Sequence, residues 1–203
     1  MTVVASNFAR KENELYETEP WATRALLRNY PVASLKVWEP AAGNHKMADE
    51  LREADADVLT SDIQTYRRGH NEIFDFMACD IPSSVKCDAI ITNPPYGKGN
   101  REAVKFAELA LDRCDGMVAL LLTAKFDFGK TRMHLFRDNP RFAAKIALVD
   151  RIQWFPGDTT GTEDHAWYVW GPAGKAITPR LLYEGRVPSP GREGQFNALE
   201  AVA

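Results

Sequence analysis

The stretch DAIITNPPYGKGN, residues 88–100, joins a short apolar run to two consecutive prolines. Residues 89–92 are small or apolar and are bounded by turn residues, which predicts a short strand buried in a sheet. Pro94 and Pro95 carry no N–H, so neither can continue a sheet ladder and the strand has to end here. The sequence therefore predicts that an asparagine, two prolines and a tyrosine stand at the end of a central strand.

Outward from this strand, apolar segments alternate with segments of helical periodicity. The strand candidates are LKVWEP, ADVLTSDI, KCDAIITNPPY, GMVALLLTAKF, KIALVDRI and DHAWYVWG, with a seventh, short pairing segment at 180–183. The helix candidates are TEPWATRALLRNY, where Thr18 is expected to cap the first turn, NHKMADELREAD and REAVKFAELALDRC. This alternation predicts an α/β fold with a doubly wound, mainly parallel, seven-stranded sheet and helices on both faces.

Length and composition predict one globular domain. With 203 residues, 45% of them hydrophobic and 26% charged, the chain has the usual make-up of a soluble protein. We expect a single domain over 1–186, which begins with a loose arm at 1–15, and a disordered tail at 187–203. The sequence shows no signal peptide and no membrane span, and its three cysteines are not spaced as metal ligands, which predicts a cytoplasmic protein without a metal site.

Three predicted strands end in residues with hydrogen-bond acceptors, at the edge where such sheets bind ligands. Glu39 precedes a turn of small residues, 41–43, that would let the backbone approach a ligand at the start of a helix. Asp62 ends the next strand, where a carboxylate could accept two ribose hydroxyls. Read alone, each residue also fits an ordinary turn, as a surface glutamate or as an aspartate that makes a local bond.

The Asn-Pro-Pro-Tyr motif is the more specific signal, and it suits an exocyclic aromatic amine. Such an amine is a weak nucleophile because its lone pair is delocalised into the ring. The side-chain oxygen of Asn93 and the carbonyl of Pro94 could accept both amine hydrogens and free the lone pair. Pro95 would hold that carbonyl in place, and Tyr96 would offer a flat face to a base. A proline-rich turn with a packed tyrosine is the structural alternative.

Together these segments resemble the class I S-adenosylmethionine-dependent methyltransferases, and within them the Asn-Pro-Pro-Tyr amino-methyltransferases, chiefly DNA adenine-N6 enzymes. YETEPWATRALL, EPAAGN, SDI, FDFM and NPPY follow the family's order, and the compact form resembles the enzymes of phages and prophages. The resemblance implies a Rossmann-like methyltransferase sheet, S-adenosylmethionine as cofactor and duplex DNA with a flipped adenine as substrate, in the cytoplasm of a bacterium or a phage-infected host. The catalytic residues it implies are Asn93, Pro94, Pro95 and Tyr96. The cofactor contacts it implies are Tyr16, Thr18 and Pro20 at the methionine end, Glu39, Ala41 and Gly43 at the amino-acid part, Asp62 and Ile63 at the ribose, Asp75 and Phe76 at the adenine, and Asn93.

A local excess of basic residues between positions 125 and 145 could follow DNA phosphates. Six basic residues face only two acids there, and the segment starts where a strand ends, on the predicted rim of Asn93. An ordinary solvated surface is the alternative. The expected substrate-binding residues are Tyr96, Lys98, Lys125, Phe126, Lys130 and Arg132. Trp21, Trp38, Trp154, Trp167 and Trp170 are expected to pack in the interior, and the role of His165 stays open.

The chain departs from the family in two places, and several substrates remain open. Asn44 or His45 stands where a second glycine is frequent, and too few residues follow Tyr96 for the large recognition domain of many relatives. We therefore expect short or loop-based sequence recognition. The alternatives are an RNA adenine, a protein glutamine amide, cytosine N4 or a non-catalytic subunit that binds cofactor or nucleic acid. The oligomeric state is open between monomer and homodimer.

Overall fold

A computed structural model of the chain describes residues 15–78, 85–154, 161 and 163–187. The helices in these ranges are α1 (Pro20–Leu27), α2 (Lys46–Glu53) and α3 (Arg101–Arg113). The strands are β1 (Lys36–Glu39), β2 (Asp57–Asp62), β3 (Glu72–Ile73), β4 (Ala89–Thr92), β5 (Met117–Thr123), β6 (Phe142–Leu148), β7 (His165–Trp170) and β8 (Arg180–Glu184). Two 3₁₀ segments, Lys98–Asn100 and Lys130–Leu135, precede α3 and β6.

The strands form one sheet in the order β3-β2-β1-β4-β5-β7-β6-β8. β7 is antiparallel to both of its neighbours, and every other pairing is parallel. The chain moves outward from β1 to β3 and then returns to the other side of β1 to form β4. This reversal leaves a crevice above the carboxyl ends of β1 and β4, as expected for a doubly wound sheet.

The predicted fold class is confirmed, with one more strand than the seven expected. The strand that was missed is β3, which has only two residues and pairs with Ser61 and Asp62 of β2. A two-residue strand has no periodicity that a sequence can reveal. The helix start was also wrong in detail, because Glu19 rather than Thr18 occupies the N-cap of α1 and makes no side-chain cap bond.

Helices cover both faces of the sheet, and each face has its own core. Trp21 and Leu26 of α1 and Met47 of α2 pack on one face, whereas Phe106 of α3 packs on the other. Successive residues of β5 alternate between the two cores, as the pleat requires. Trp38, Trp167 and Trp170 are at most 1% exposed, and Trp21 is buried as predicted.

Most of the predicted terminal segments lie outside the described residues. These segments are the arm at 1–15, of which only Leu15 is described, and the tail at 187–203, of which only Val187 is described. Among the described residues, no helix has both the length and the apolar character needed to cross a bilayer.

Arg141, one of the residues in the predicted basic excess, instead joins three segments of the fold. Its Nε donates to the carbonyl of Gly171 at 2.9 Å, and its Nη1 donates to Leu111 at 2.8 Å. Its Nη2 donates to the carbonyls of Cys114 at 2.8 Å and Gly116 at 2.7 Å. The guanidinium therefore satisfies the last carbonyls of α3 and the turn into β5, and it is not free for phosphate.

We expect Arg141→Ala to lower the free energy of unfolding by about 3 kcal/mol, because part-buried carbonyls lose charge-assisted bonds. For a chain of this size the corresponding fall in Tm is about 6–12 °C. Arg137→Ala is the matched control, since Arg137 is exposed and pairs with its neighbour Asp138. Thermal unfolding of both variants tests the assignment, and equal Tm values for the two would contradict it.

Candidate active site

An open cleft lies above the carboxyl ends of β1, β2 and β4, with about 940 Å³ of empty space, part of it open to solvent. Nearly all of the predicted cofactor residues line it, together with others that the sequence did not indicate. The lining residues are Leu15, Tyr16, Glu17, Thr18, Glu39, Pro40, Ala41, Ala42, Gly43, Asn44, Lys46, Met47, Asp62, Ile63, Tyr66, Asp75, Phe76, Met77, Asn93, Pro95, Glu102 and Phe106.

The turn between β1 and α2 is held to the end of β2 by Asp62. Asp62 Oδ2 accepts the N–H of Gly43 at 2.9 Å, and its Oδ1 accepts the N–H of Ile63 at 2.8 Å. Burial raises the pKa of this carboxyl, against the lowering effect of the N–H groups of Gly43, Ile63 and Gln64. A carboxylate has about four lone-pair sites, so it keeps capacity to accept from a ligand. Gly43 has φ +50°, and a Cβ there would lie 2.8 Å from Leu15 Cδ1, so only glycine fits without a shift.

Asn44 and His45, at one of which the resemblance leads us to expect a glycine, both have contacts in the fold. His45 adopts a left-handed conformation, with φ 68°, at the N-cap of α2. Its Nε2 lies 2.9 Å from Nδ1 of His70, which joins the turn to the segment after β2. Asn44 Oδ1 accepts the N–H of Arg67 at 3.0 Å. These bonds fix a turn that a glycine would otherwise form by its conformational freedom.

Glu39 lies at the floor of the cleft with its carboxyl almost fully buried, at 2% exposure. No described residue bonds to its Oε2. Burial raises the pKa of Glu39 well above its usual value, and the carboxylates of Asp62 and Asp49 add to the rise, whereas Arg52 opposes it. Burial of a carboxylate costs free energy unless a positive charge lies beside it, so Glu39 is suited to receive a cation in the cleft.

We expect Glu39→Gln to stabilise the protein at neutral pH while weakening ligand binding in the cleft. In the wild type, stability falls as pH rises from the unfolded value of 4.5 toward the raised folded pKa, because only the folded state still holds the proton. The glutamine variant has no such loss, so its Tm should exceed that of the wild type by an amount that grows above pH 4.5.

The matched control for this prediction is Glu50→Gln. Glu50 is also buried, but it accepts two bonds from Nη1 of Arg24, at 2.8 and 2.9 Å. That variant should not gain stability. The test is to measure melting curves of both variants between pH 4.5 and 8. A lower Tm for Glu39→Gln than for the wild type at pH 8 would contradict a destabilising charge at Glu39.

Asn93, directly after β4, has its amide oriented by the segment before α1. Its Nδ2 donates to the carbonyl of Tyr16 and to Oγ1 of Thr18, each at 3.3 Å. A backbone carbonyl can only accept, so the nitrogen must face Tyr16 and the oxygen must point the other way. That oxygen, Oδ1, is buried and no described residue bonds to it. Thr18, predicted as a helix cap, therefore orients the amide instead.

The rest of the motif is held against β5. The Tyr96 hydroxyl donates to the carbonyl of Leu121 at 3.1 Å, which fixes a half-buried ring. Pro94 is buried and Pro95 lines the cleft. Neither Pro94 nor Tyr96 lines the cleft itself. Pro20, which was predicted to contact the cofactor, is the first residue of α1 and does not line the cleft either.

A row of aromatic side chains extends from the cleft to Tyr96, and its middle members were not predicted as site residues. Tyr16 meets Trp154 edge-on at 5.9 Å, Trp154 meets His165 at 5.1 Å, and His165 lies 6.3 Å from Tyr96. Trp154 was expected to pack in the interior, and it is half-buried and packs against the core under α1 and α2. It also lines a second hollow that shares Leu15 with the cleft. Burial lowers the pKa of His165 to about 4, so the ring is neutral at pH 7.

Phe76 and Asp75 lie at the far end of the cleft in different environments. Phe76 is 2% exposed, Phe106 stacks on it at 4.1 Å, and the guanidinium carbon of Arg113 lies 4.7 Å from its centroid. With both faces occupied, the ring can offer only its edge, and not the face that the resemblance implies. Asp75 is exposed, and its Oδ1 accepts the N–H of Met77 at 2.8 Å.

The predicted phosphate track is only partly on the surface. Phe126 is 0% exposed and packs with Phe136 and Tyr168, so its expected role in substrate binding does not agree with its position. Arg132 donates to the carbonyl of Phe126 at 2.7 Å and stacks on its ring. Lys98, Lys125 and Lys130 are exposed, whereas Lys145, Arg137 and Arg141 have protein partners.

No group of three or more histidine, cysteine or acidic side chains is arranged to hold a metal ion within the described ranges. Cys87 is half-buried and Cys114 is buried, and both are free thiols. Cys79 lies outside the described residues.

No protein-family model matches the chain, and no curated protein matches it. Several solved structures share its fold. A type I restriction-modification methyltransferase subunit from Streptococcus thermophilus aligns with TM-score 0.61 and 10% identity over 84% of this chain and 47% of that one. A candidate RNA methyltransferase from Pyrococcus horikoshii aligns with TM-score 0.58 and 16% identity over 79% and 87%. A TehB-like SAM-dependent methyltransferase from Corynebacterium glutamicum aligns with TM-score 0.50 and 13% identity over 75% and 87%.

At these identities the likeness establishes the fold, a Rossmann-like sheet that methyltransferases of several kinds share. The chain spans less than half of the Streptococcus thermophilus subunit but most of the Pyrococcus horikoshii protein.

Proposed function

We propose that this chain transfers a methyl group from S-adenosylmethionine to the exocyclic N6 amine of adenine in DNA. The observation that carries the proposal is the orientation of Asn93. Tyr16 and Thr18 hold its nitrogen, and its buried Oδ1 is left as an acceptor without a partner among the described residues. A buried acceptor without a partner is costly, and an amine hydrogen of the substrate would satisfy it.

The donor set of the cleft fits S-adenosylmethionine. Asp62 keeps acceptor capacity for ribose hydroxyls, and the buried Glu39 suits the positively charged amino-acid end. Asp75 would accept from the adenine amine of the cofactor, with the edge of Phe76 beside it. When bound, S-adenosylmethionine supplies an electrophilic methyl group on a sulfonium.

The motif would prepare the substrate amine for attack on that methyl group. Asn93 Oδ1 and the Pro94 carbonyl would each accept one N6 hydrogen, which favours a pyramidal nitrogen with its lone pair free. The N–C bond would form as the S–CH3 bond breaks, with S-adenosylhomocysteine as the leaving group. One amine proton would then leave to water, so no strong general base is needed. Tyr96, anchored to Leu121, would support the base by stacking.

We favour DNA as the substrate because of the motif and because exposed lysines follow β4 and β5, at the edge of the sheet where Asn93 lies. Lys98, Lys125 and Lys130 are suited to phosphates, and the target base would leave the duplex to reach Asn93. The restriction-modification subunit from Streptococcus thermophilus supports DNA as a substrate for this fold. The oligomeric state, monomer or homodimer, is left to measurement, and so is a partner that supplies sequence recognition.

RNA adenine is the second candidate, since the Pyrococcus horikoshii protein with the same fold is described as a candidate RNA methyltransferase. The amine chemistry at Asn93 would be the same. A protein glutamine amide has weaker support, because the exposed lysines Lys98, Lys125 and Lys130 suit a phosphate backbone better than a peptide.

The deciding experiment is transfer of labelled methyl groups to unmethylated duplex DNA, to RNA and to protein, followed by nucleoside and amino-acid analysis. Label in N6-methyladenine of DNA would support the proposal. Label in RNA or in glutamine, with none in DNA, would replace it. Binding of S-adenosylmethionine without transfer to any acceptor would instead point to a binding subunit.

A further inference from the structure

Phe128 is the most exposed large hydrophobic side chain among the described residues, at 80% of its surface. It lies in the loop after β5, two residues beyond the fully buried Phe126. A single exposed aromatic is common on protein surfaces, so the position of Phe128 and the groups around it decide whether it marks a contact.

The loop that carries Phe128 is held rigidly. Phe126 anchors it in the core, and Arg132 both donates to the Phe126 carbonyl and covers its ring. Asp127 accepts from Nζ of Lys145 at 2.9 Å and from the hydroxyl of Tyr168 at 3.0 Å. The backbone on both sides of Phe128 is therefore held in place while its ring is exposed to solvent.

The loop begins at the same edge of the sheet as Asn93. β5 lies beside β4 and extends beyond it, with Thr92 opposite Leu120 and Thr123 at the end. The hydroxyl of Tyr96 already reaches the carbonyl of Leu121. Tyr96 and Phe126 also pack against the same core, on the face covered by α3. Phe128 is thus on the rim and the face where the proposed substrate base would be bound.

The charge around Phe128 is positive. Lys125 and Lys130 lie on either side of it in sequence, both are exposed, and neither forms an ion pair with a described residue. Asp127, the acid in the loop, is already paired with Lys145. The exposed ring has lysines on both sides in sequence, and Nζ of Lys145 lies 5.3 Å from its centroid. These surroundings suit a duplex, which offers stacked bases between two lines of phosphate.

We propose that Phe128 is a wedge that enters the base stack beside the target adenine, while Lys125 and Lys130 hold the flanking phosphates. The inference rests on the proposed function and adds a residue that helps to open the duplex at the target adenine. Taking a base out of the stack loses stacking and pairing free energy. A rigid ring that fills the opened step replaces part of that loss, as apolar wedges do in other proteins that bend or open DNA.

The test compares two DNA duplexes that differ at the target. In one the target adenine pairs with thymine, and in the other it stands opposite an abasic site and is already unpaired. Phe128→Ala should lower kcat/KM on the paired duplex by about tenfold or more, as loss of one base–aromatic stack predicts. On the abasic duplex the variant should come within about threefold of the wild type, because less opening is needed.

Two further variants separate the wedge from a loss of folding or of apolar surface. Phe128→Trp keeps a flat ring, so its kcat/KM on both duplexes should stay close to that of the wild type. Tyr183→Ala removes another exposed aromatic, which lies on the edge strand β8 and is 51% exposed. This variant should leave kcat/KM unchanged on both duplexes. The melting temperature of each variant is measured in parallel.

Three outcomes would overturn the wedge. The first is an equal loss on both duplexes for Phe128→Ala, which would indicate a structural role or general binding. The second is no loss on either duplex. The third is a wild type that methylates neither duplex, in which case the proposed function fails as well; in the first two outcomes wild-type methylation stands and only the wedge is lost.

Discussion

Asn93→Ala is expected to lower kcat for methyl transfer by about 100-fold or more, because it removes an oriented acceptor that a reacting amine would use in the transition state. Cofactor affinity should stay within about tenfold of the wild type, or roughly 1.4 kcal/mol. The reason is that the Asn93 amide is oriented by Tyr16 and Thr18, whereas a separate bond, between Gly43 and Asp62, holds the turn of the cleft. The measurement is single-turnover transfer with saturating cofactor, together with calorimetric binding.

The control for this variant is Asn44→Ala. Asn44 is also an asparagine of the cleft wall, but its Oδ1 already accepts the N–H of Arg67. That variant should change cofactor affinity more than kcat, the reverse of the pattern at position 93. Near wild-type turnover in Asn93→Ala would remove the basis of the assigned chemistry, whatever the substrate proves to be.

Much of the sheet could be predicted from the sequence because most of its strands are buried and apolar. β5 and β7 carry continuous apolar runs, and the prolines of the motif mark the end of β4. What could not be predicted depends on tertiary contacts. β3 is a strand only because its two residues pair with β2. Glu19 rather than Thr18 stands at the N-cap of α1, and the hydroxyl of Thr18 accepts from Asn93 instead.

The cofactor side of the site was more predictable than the substrate side. The residues after β1, β2 and β4 converge because parallel strands end at one edge, and the order of the motifs in the chain already indicates this. On the substrate side, two phenylalanines of one loop look alike in sequence, yet Phe126 is buried and Phe128 is exposed. Which of two nearby aromatics points inward depends on the packing of Phe136 and Tyr168, and no local pattern reveals that.

Asp62→Ala is expected to raise the Kd for S-adenosylmethionine by about 100-fold, as loss of charge-assisted bonds at a buried site predicts. Two effects combine. The ribose would lose its carboxylate, and the turn would lose the bond between Asp62 Oδ2 and the N–H of Gly43. Asp57→Ala is the control, because Asp57 is exposed at the opposite end of the same strand and faces no ligand. With cofactor added to saturation, kcat of Asp62→Ala should return to within about tenfold of the wild type. A raised KM with a preserved kcat would place Asp62 in cofactor binding, whereas an unchanged Kd would show that the ribose is held elsewhere.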